Sequence, residues 1–107
     1  MQSAILPDNE PARLRAVRLT GLLDTVPEHE FDDIASLAAR LCQTPMALIC
    51  LLDSDRQWFK SNVGLAGATQ TPRSLSFCAH AILQPDLLVV QDASLDARFH
   101  DNPLVTG

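Results

Sequence analysis

The sequence predicts an α+β domain in which helices precede an antiparallel sheet and a loop with a short helix follows it. Three observations carry that prediction. Two stretches with helical apolar spacing occupy the first 42 residues. An apolar run, a polar turn and a second apolar-rich run then follow in hairpin order. After Gly64 the composition shifts to Gly, Ala, Thr and Gln before a third helical pattern begins.

Residues 1–8 read as a short lead-in, and a single domain fills 9–107. The first helix starts near Asn9, with Pro11 in its first turn, where a missing amide donor costs nothing. It carries two apolar tracks, Ala12, Ala16, Leu19 and Leu23 on one side and Leu14 with Val17 on another. A helix so marked either wedges into its own core or also pairs with a second chain. In the second helix, Thr25-Val26-Pro27-Glu28 has the form of a capping box. The acids Glu28, Glu30, Asp32 and Asp33 crowd its positive end, and Arg40 lies near its negative end, so dipole compensation explains the cluster without a metal. Phe31, Ile34, Leu37, Ala38 and Leu41 form its apolar stripe.

Thr44-Pro45 ends that helix. The run Met46–Leu52 lacks polar alternation, as in a central strand covered on both faces. Asp53-Ser54-Asp55-Arg56 is turn chemistry. Gln57–Val63 returns as a strand, with Phe59 and Val63 on one face and Trp58 and Lys60 on the other. Residues 64–71 read as a mobile loop over the sheet, closed by Pro72 and Arg73. Leu75, Cys78, Ala79 and Ile82 recur with helical spacing, giving a short helix to about Leu83. Leu87–Val90 reads as a third strand. In the tail, Asp96 caps the turn holding Arg98, Phe99 plugs the sheet edge, and Asn102-Pro103 ends the segment.

Composition excludes several functions. Eight basic residues against thirteen acidic ones give a net charge of −5 over 107 residues, the wrong sign for a counterion-displacing nucleic-acid binder. The longest apolar run is far short of the ~20 residues a spanning helix needs. Three cysteines, none in CxxC spacing, make neither a disulfide framework nor a zinc knuckle. The first residues have neither a basic leader nor a secretory apolar stretch. A cytoplasmic location with reduced thiols is the expectation, with no cofactor.

Cys78 and His80 resemble a thiolate–imidazole pair, but two helical residues two apart diverge by ~200°. Cys78 falls on the apolar stripe as a buried thiol, and His80 faces the loop or solvent, as a surface hydrogen-bonding group or a ligand contact. Cys42 and Cys50 read as small core residues. Gly64-Leu65-Ala66-Gly67 lacks the Lys and Ser/Thr of a phosphate loop. Trp58 offers a flat wall, beside which Lys60 or Arg73 would fix an anionic group; the plainer reading makes Trp58 core and the two cations solvated rim.

The order of segments resembles a known family. Asn9-Glu10-Pro11-x-Arg13-Leu14, Leu23-Asp24-Thr25-x-Pro27-Glu28, Phe31-Asp32, Asp55–Ser61, Thr71-Pro72-Arg73, Ser76–Ile82 and Asp101-Asn102-Pro103 together are similar to a bacterial GAF sensor domain, of the kind preceding diguanylate cyclase or histidine kinase output domains. The resemblance covers nearly the whole chain. It implies a GAF-like (PAS-like) twisted antiparallel sheet of about six strands, with N-terminal helices on one face and a pocket roofed by a loop and short-helix lid on the other. It also implies that the chain stops before the last strands and closing helix. The positions it places nearest the pocket are Trp58, Lys60, Arg73, Phe77, Cys78 and His80. The Asn-Lys-x-Phe-Asp-Glu motif of cyclic-nucleotide-binding members is absent, and the cysteines match neither the sulfoxide reductase nor the bilin-binding arrangement. The implied function is a non-enzymatic sensor that binds a small molecule, homodimerises through its N-terminal helix and signals to a kinase or cyclase output domain. The alternatives are a ligand-free dimerisation module and a thiol-based redox sensor or enzyme.

Overall fold

A computed structural model describes residues 3–65 and 67–106. Met1 and Gln2 of the lead-in, Ala66 of the loop and Gly107 at the end of the domain lie outside the described residues. Among the described residues the fold is α+β, with four α-helices, two 3₁₀ turns and a three-stranded antiparallel sheet.

Helix α1 spans Glu10–Leu19, with Pro11 in the first turn and Arg18 in the last. Of its two apolar tracks the shorter one packs: Leu14 and Val17 are half-buried, whereas Ala12, Ala16 and Leu19 face solvent. Helix α2 spans His29–Cys42. The expected capping box is not formed, because both of its residues serve Lys60 instead. The Thr25 hydroxyl accepts from Lys60 Nζ at 2.6 Å and donates to the Leu22 carbonyl, while the Glu28 carboxylate lies 2.6 Å from the same ammonium. The apolar stripe of α2 is also displaced from the core. Ile34, Leu37 and Leu41 are more than half exposed, and Ala35 and Ala39 are the buried residues. Small side chains let the helix axis approach the strands, so the bulky stripe is turned about 100° aside.

Strand β1 (Ala47–Leu52) and strand β2 (Arg56–Val63) form the expected hairpin around Asp53–Asp55, closed by the Asp53 amide on the Arg56 carbonyl at 2.8 Å. The sheet order β1-β2-β3 corrects which strand is central. The apolar β1 is an edge, and β2, with Gln57, Lys60 and Ser61, is the middle strand, buried without a break from Gln57 to Ser61. Polar side chains survive there because each finds a partner. Register breaks between Ile49 and Cys50: Cys50 faces Phe59 and Ile49 faces Ser61, so Lys60 is an extra residue, a β-bulge. The bulge resets the alternation. Phe59 and Val63 therefore do not share a face, and Ser61 donates to Asp32 of α2 at 2.6 Å.

Strand β3 is Gln70–Pro72, inside the segment read as loop, and it pairs with Arg56–Trp58. Leu87–Val90, read as a strand, joins no ladder, and Leu87 and Val89 are exposed. An apolar run supplies side chains to bury, but a strand also requires a partner with free amides and carbonyls. A 3₁₀ turn (Arg73–Leu75) leads into helix α3 (Phe77–Ala81), capped by the Ser76 hydroxyl on the Ala79 amide and shorter than its periodicity. A second 3₁₀ turn (Ala93–Leu95) and helix α4 (Pro103–Thr106) complete the chain.

Helix α2 packs on one face of the sheet. Helix α1 is clasped to the end of the hairpin, where Arg13 reaches the Leu52 carbonyl. The α3 segment lies over the opposite face, as the contacts of Cys78 with Cys50 and Gln57 show.

Candidate functional site

A cavity of about 550 Å³ lies between the face of the sheet opposite α2 and the segment that crosses it. Leu48 and Cys50 of β1, Gln57 and Phe59 of β2 and Thr71 of β3 form its floor. Phe77 and Cys78 of α3 form one wall, and Met46, Ala47, Leu65, Ala93, Ser94, Leu104 and Val105 form the remainder, with Asp92 the one charged residue among the described lining. The lining is mostly apolar, as in small-molecule sites generally. The Thr71 hydroxyl is buried at this floor with no hydrogen-bond partner, a costly state for a polar group. The hydroxyl itself is sealed from the chamber, so Thr71 meets the cavity through the rest of its side chain and backbone.

The wall is built from the tail as well as from the lid. Phe99 is fully buried and stacks on Phe77 at 4.2 Å between ring centroids, with the His80 ring edge-on at 5.0 Å. Asn102, also fully buried, donates to the Leu75 carbonyl at 2.9 Å and accepts from the Leu104 amide. The tail thus plugs against α3 rather than against the sheet edge. Asp96 does hold its turn, accepting from the Arg98 amide at 2.8 Å and pairing with the guanidinium, and these bonds depress its pKa to about 2.

Cys50 and Cys78 meet at this wall with Sγ atoms 3.4 Å apart. The Gln57 amide donates towards both sulfurs, at 3.1 and 3.2 Å, while its carbonyl oxygen accepts from Ser76. The hydrogen bond from the Cys78 thiol holds the Cys50 pKa down to about 7, against the effect of burial, and Gln57 adds to it. The same bond, together with burial and the neighbouring charge, pushes Cys78 above the ordinary thiol range. Two coupled thiols sharing one proton behave in this way.

Of the six residues expected near a pocket, Phe77 and Cys78 line this cavity. Trp58 and Lys60 are buried but belong to the α2 side of the sheet, where the Lys60 ammonium is caged by Thr25, Glu28, the Val26 carbonyl and the Phe31 ring. Arg73 is buried as well, its guanidinium on Glu10 at 2.6 Å and on the Asp53 carbonyl. His80 lies behind the wall on Phe99, diverging from Cys78 as helical spacing requires. The two cations are neither a solvated rim nor cavity residues; they are internal ties between α1, the α1–α2 linker and the strands. Cys50, Gln57, Phe59 and Thr71 went unnoticed as site residues. Alternation outward from Phe59 reaches Gln57 on the same face, a signal present in the sequence. The meeting of Cys50 with Cys78 left none, because it depends on where α3 lands. Cys42, read as core, is exposed.

Among the described residues no three His, Cys, Asp or Glu side chains converge as metal ligands, and no helix is long and apolar enough to cross a membrane. No family model matches the chain. It is 46% identical over 101 residues to a cyclic di-GMP phosphodiesterase of Pseudomonas aeruginosa, a match that takes in 94% of this chain and 17% of that relative. The chain therefore spans about a sixth of the length of the curated relative it matches.

Proposed function

We propose that this chain is a GAF-like sensor module of a cytoplasmic cyclic di-GMP signalling protein. It binds a small, largely apolar molecule in the cavity beneath α3 and passes the change to an output domain elsewhere in the protein. The observation that carries this reading is the cavity itself: a mostly apolar chamber of about 550 Å³ between the sheet and α3. The likeness to a cyclic di-GMP phosphodiesterase supports the signalling context. Catalysis, in this reading, belongs to the part of such a protein that this chain does not span, and the module's role is regulatory.

The lining selects the ligand class. Among the described residues no Lys or Arg lines the chamber, and Lys60 and Arg73 are committed to carboxylates on other sides of the fold. A dianionic cyclic dinucleotide would have to desolvate its phosphates against Phe59, Phe77 and Asp92 with nothing to pair them. A neutral or cationic molecule with one hydrogen-bonding group suits the site. Its binding signals only by favouring one packing of the lid and helices over another.

A thermal-shift and calorimetry screen of small neutral, cationic and anionic compounds tests this. The expected result is stabilisation by a neutral or cationic compound, with the shift abolished in Leu48→Arg, which fills the chamber and charges its floor. Equal binding by the parent and Leu48→Arg refutes the site.

A second reading, a dimerisation module, is favoured by one specific observation: Leu19 is 87% exposed and Leu41 75%. Its occupant is a second copy of this chain, seated on the outward faces of α1 and α2.

A further inference from the structure

We propose that Cys50 and Cys78 form a reversible dithiol–disulfide switch that responds to peroxide and fastens α3 to the sheet. The geometry is unusual for two ordinary core thiols. Their sulfurs are 3.4 Å apart although 28 residues separate them in sequence, and they come from different elements, one from β1 and one from α3. A single side chain, Gln57, donates towards both, and Ser76, which caps α3, holds that amide in place. Neither residue is fully buried. Both residues line the large cavity and also a second one of about 470 Å³ on the α1 side, so a molecule as small as hydrogen peroxide reaches them from either direction.

The charged groups around the pair are few. Asp92 lies across the large cavity. Arg13, which lines the second one, is occupied by Glu10 and the Leu52 carbonyl. Stabilisation of a thiolate at Cys50 therefore comes from the Cys78 thiol and the Gln57 amide, and the depressed pKa of Cys50 agrees with that arrangement.

The chemistry balances with peroxide as the named oxidant. The Cys50 thiolate donates an electron pair to one peroxide oxygen, the O–O bond breaks, and the departing hydroxide takes a proton to leave as water. Cys50 is now a sulfenic acid. The Cys78 sulfur attacks it, the S–O bond breaks, and the released hydroxide leaves as a second water with the Cys78 proton. Two thiols are oxidised to one disulfide and one peroxide is reduced to two waters. A small dithiol reverses the step by exchange.

The bond ties α3 directly to β1, so oxidation stiffens the wall that separates the two cavities. The switch holds whether or not the large cavity takes a ligand, and its test uses none.

The unmodified chain is treated with hydrogen peroxide, the remaining thiols are alkylated, and the peptides are mapped. The expected product has Cys42 alkylated and the Cys50 and Cys78 peptides joined, with a raised melting temperature that dithiothreitol returns to its starting value. A trivalent arsenical that bridges two thiols protects the same pair from alkylation. Gln57→Leu slows the cross-link about fivefold at neutral pH, the effect on the thiolate fraction of raising a pKa of about 7 by one unit. Separate alkylation or separate over-oxidation of Cys50 and Cys78 in a chain that is still folded overturns the proposal. So does a Cys42-linked dimer as the sole oxidised product. The mapping of the unmodified chain decides by itself if the variant does not fold.

Discussion

Glu10 shows how much a single side chain organises here. Its carboxylate receives Arg13 from its own helix and Arg73 from the turn after β3, so one residue joins α1 to the far side of the sheet. The hydrogen bonds from Arg13 and then Arg73 lower its pKa to about 2. A carboxylate depressed on folding stabilises the native state above its unfolded pKa, and the gain is lost as pH falls towards the folded value. The Glu10 contribution is accordingly present above about pH 4.5 and fades from there towards pH 2. Glu10→Gln should cost about 2 kcal/mol at neutral pH, since it leaves the buried Arg73 without its counter-charge. Chemical denaturation of the two proteins across acid pH should show that difference closing. A difference that persists below pH 2 would rule out the ion pair as its source. Gly64 is the second such residue. It holds φ at +90°, and a Cβ there would run into the Pro45 carbonyl oxygen. Gly64→Ala should therefore lower stability by about 2 kcal/mol or more, from strain and overlap together. An unchanged melting temperature would show that the chain between α2 and β1 yields easily.

Elements are joined by tertiary partners more than by their own ends. The sequence Thr25-x-x-Glu28 satisfies the capping pattern, yet Lys60, displaced to the bulge of β2, takes both side chains. A buried ammonium needs several acceptors, and that need outweighs a local cap of about 1 kcal/mol. The other end of α2 follows backbone rules. Gln43 adopts φ +53° as the left-handed C-cap, and the Thr44 amide returns to the Ala39 carbonyl at 3.0 Å. Glycine takes that conformation without steric cost, so Gln43→Gly should stabilise the chain by about 1 kcal/mol, measured by thermal or urea unfolding. A loss of stability would mean that the Gln43 side chain makes a contribution larger than the strain. The helical periodicities of α1 and α2 and the hairpin were legible in the sequence. Strand β3 was not, because Gln70-Thr71-Pro72 carries no apolar alternation and becomes a strand only through the ladder that Arg56–Trp58 offers.

At the scale of the whole molecule the apolar surface is unevenly placed. One face of the sheet encloses the cavity, and the outward faces of α1 and α2 present Leu19, Ile34, Leu37 and Leu41 to solvent. Surface of that kind commonly marks an interaction site. If a second copy covers it, sedimentation of the parent gives a dimer and Leu19→Glu a monomer with unchanged circular dichroism. A parent that remains monomeric at high concentration removes the dimerisation reading while leaving the cavity untouched. The tail is the other whole-molecule feature. Phe99 and Asn102 are buried to the last atom against α3, so the lid is held from behind by a segment some twenty residues further along. Lid and tail are thereby packed into one unit.

Periodicity, turn chemistry and charge determined the α+β class, the two leading helices, the hairpin and the helical segment after Ser76, because each rests on neighbours within a few residues along the chain. The tertiary structure alone decided which strand is central, which faces of the helices are covered, and where the cations go. Those outcomes depend on long-range partners: a bulge at Lys60, a ladder for Gln70–Pro72, and a carboxylate on α1 for Arg73. The pairing of Cys50 with Cys78 belongs to the same class, since only the landing of α3 on the sheet brings two distant thiols to one amide.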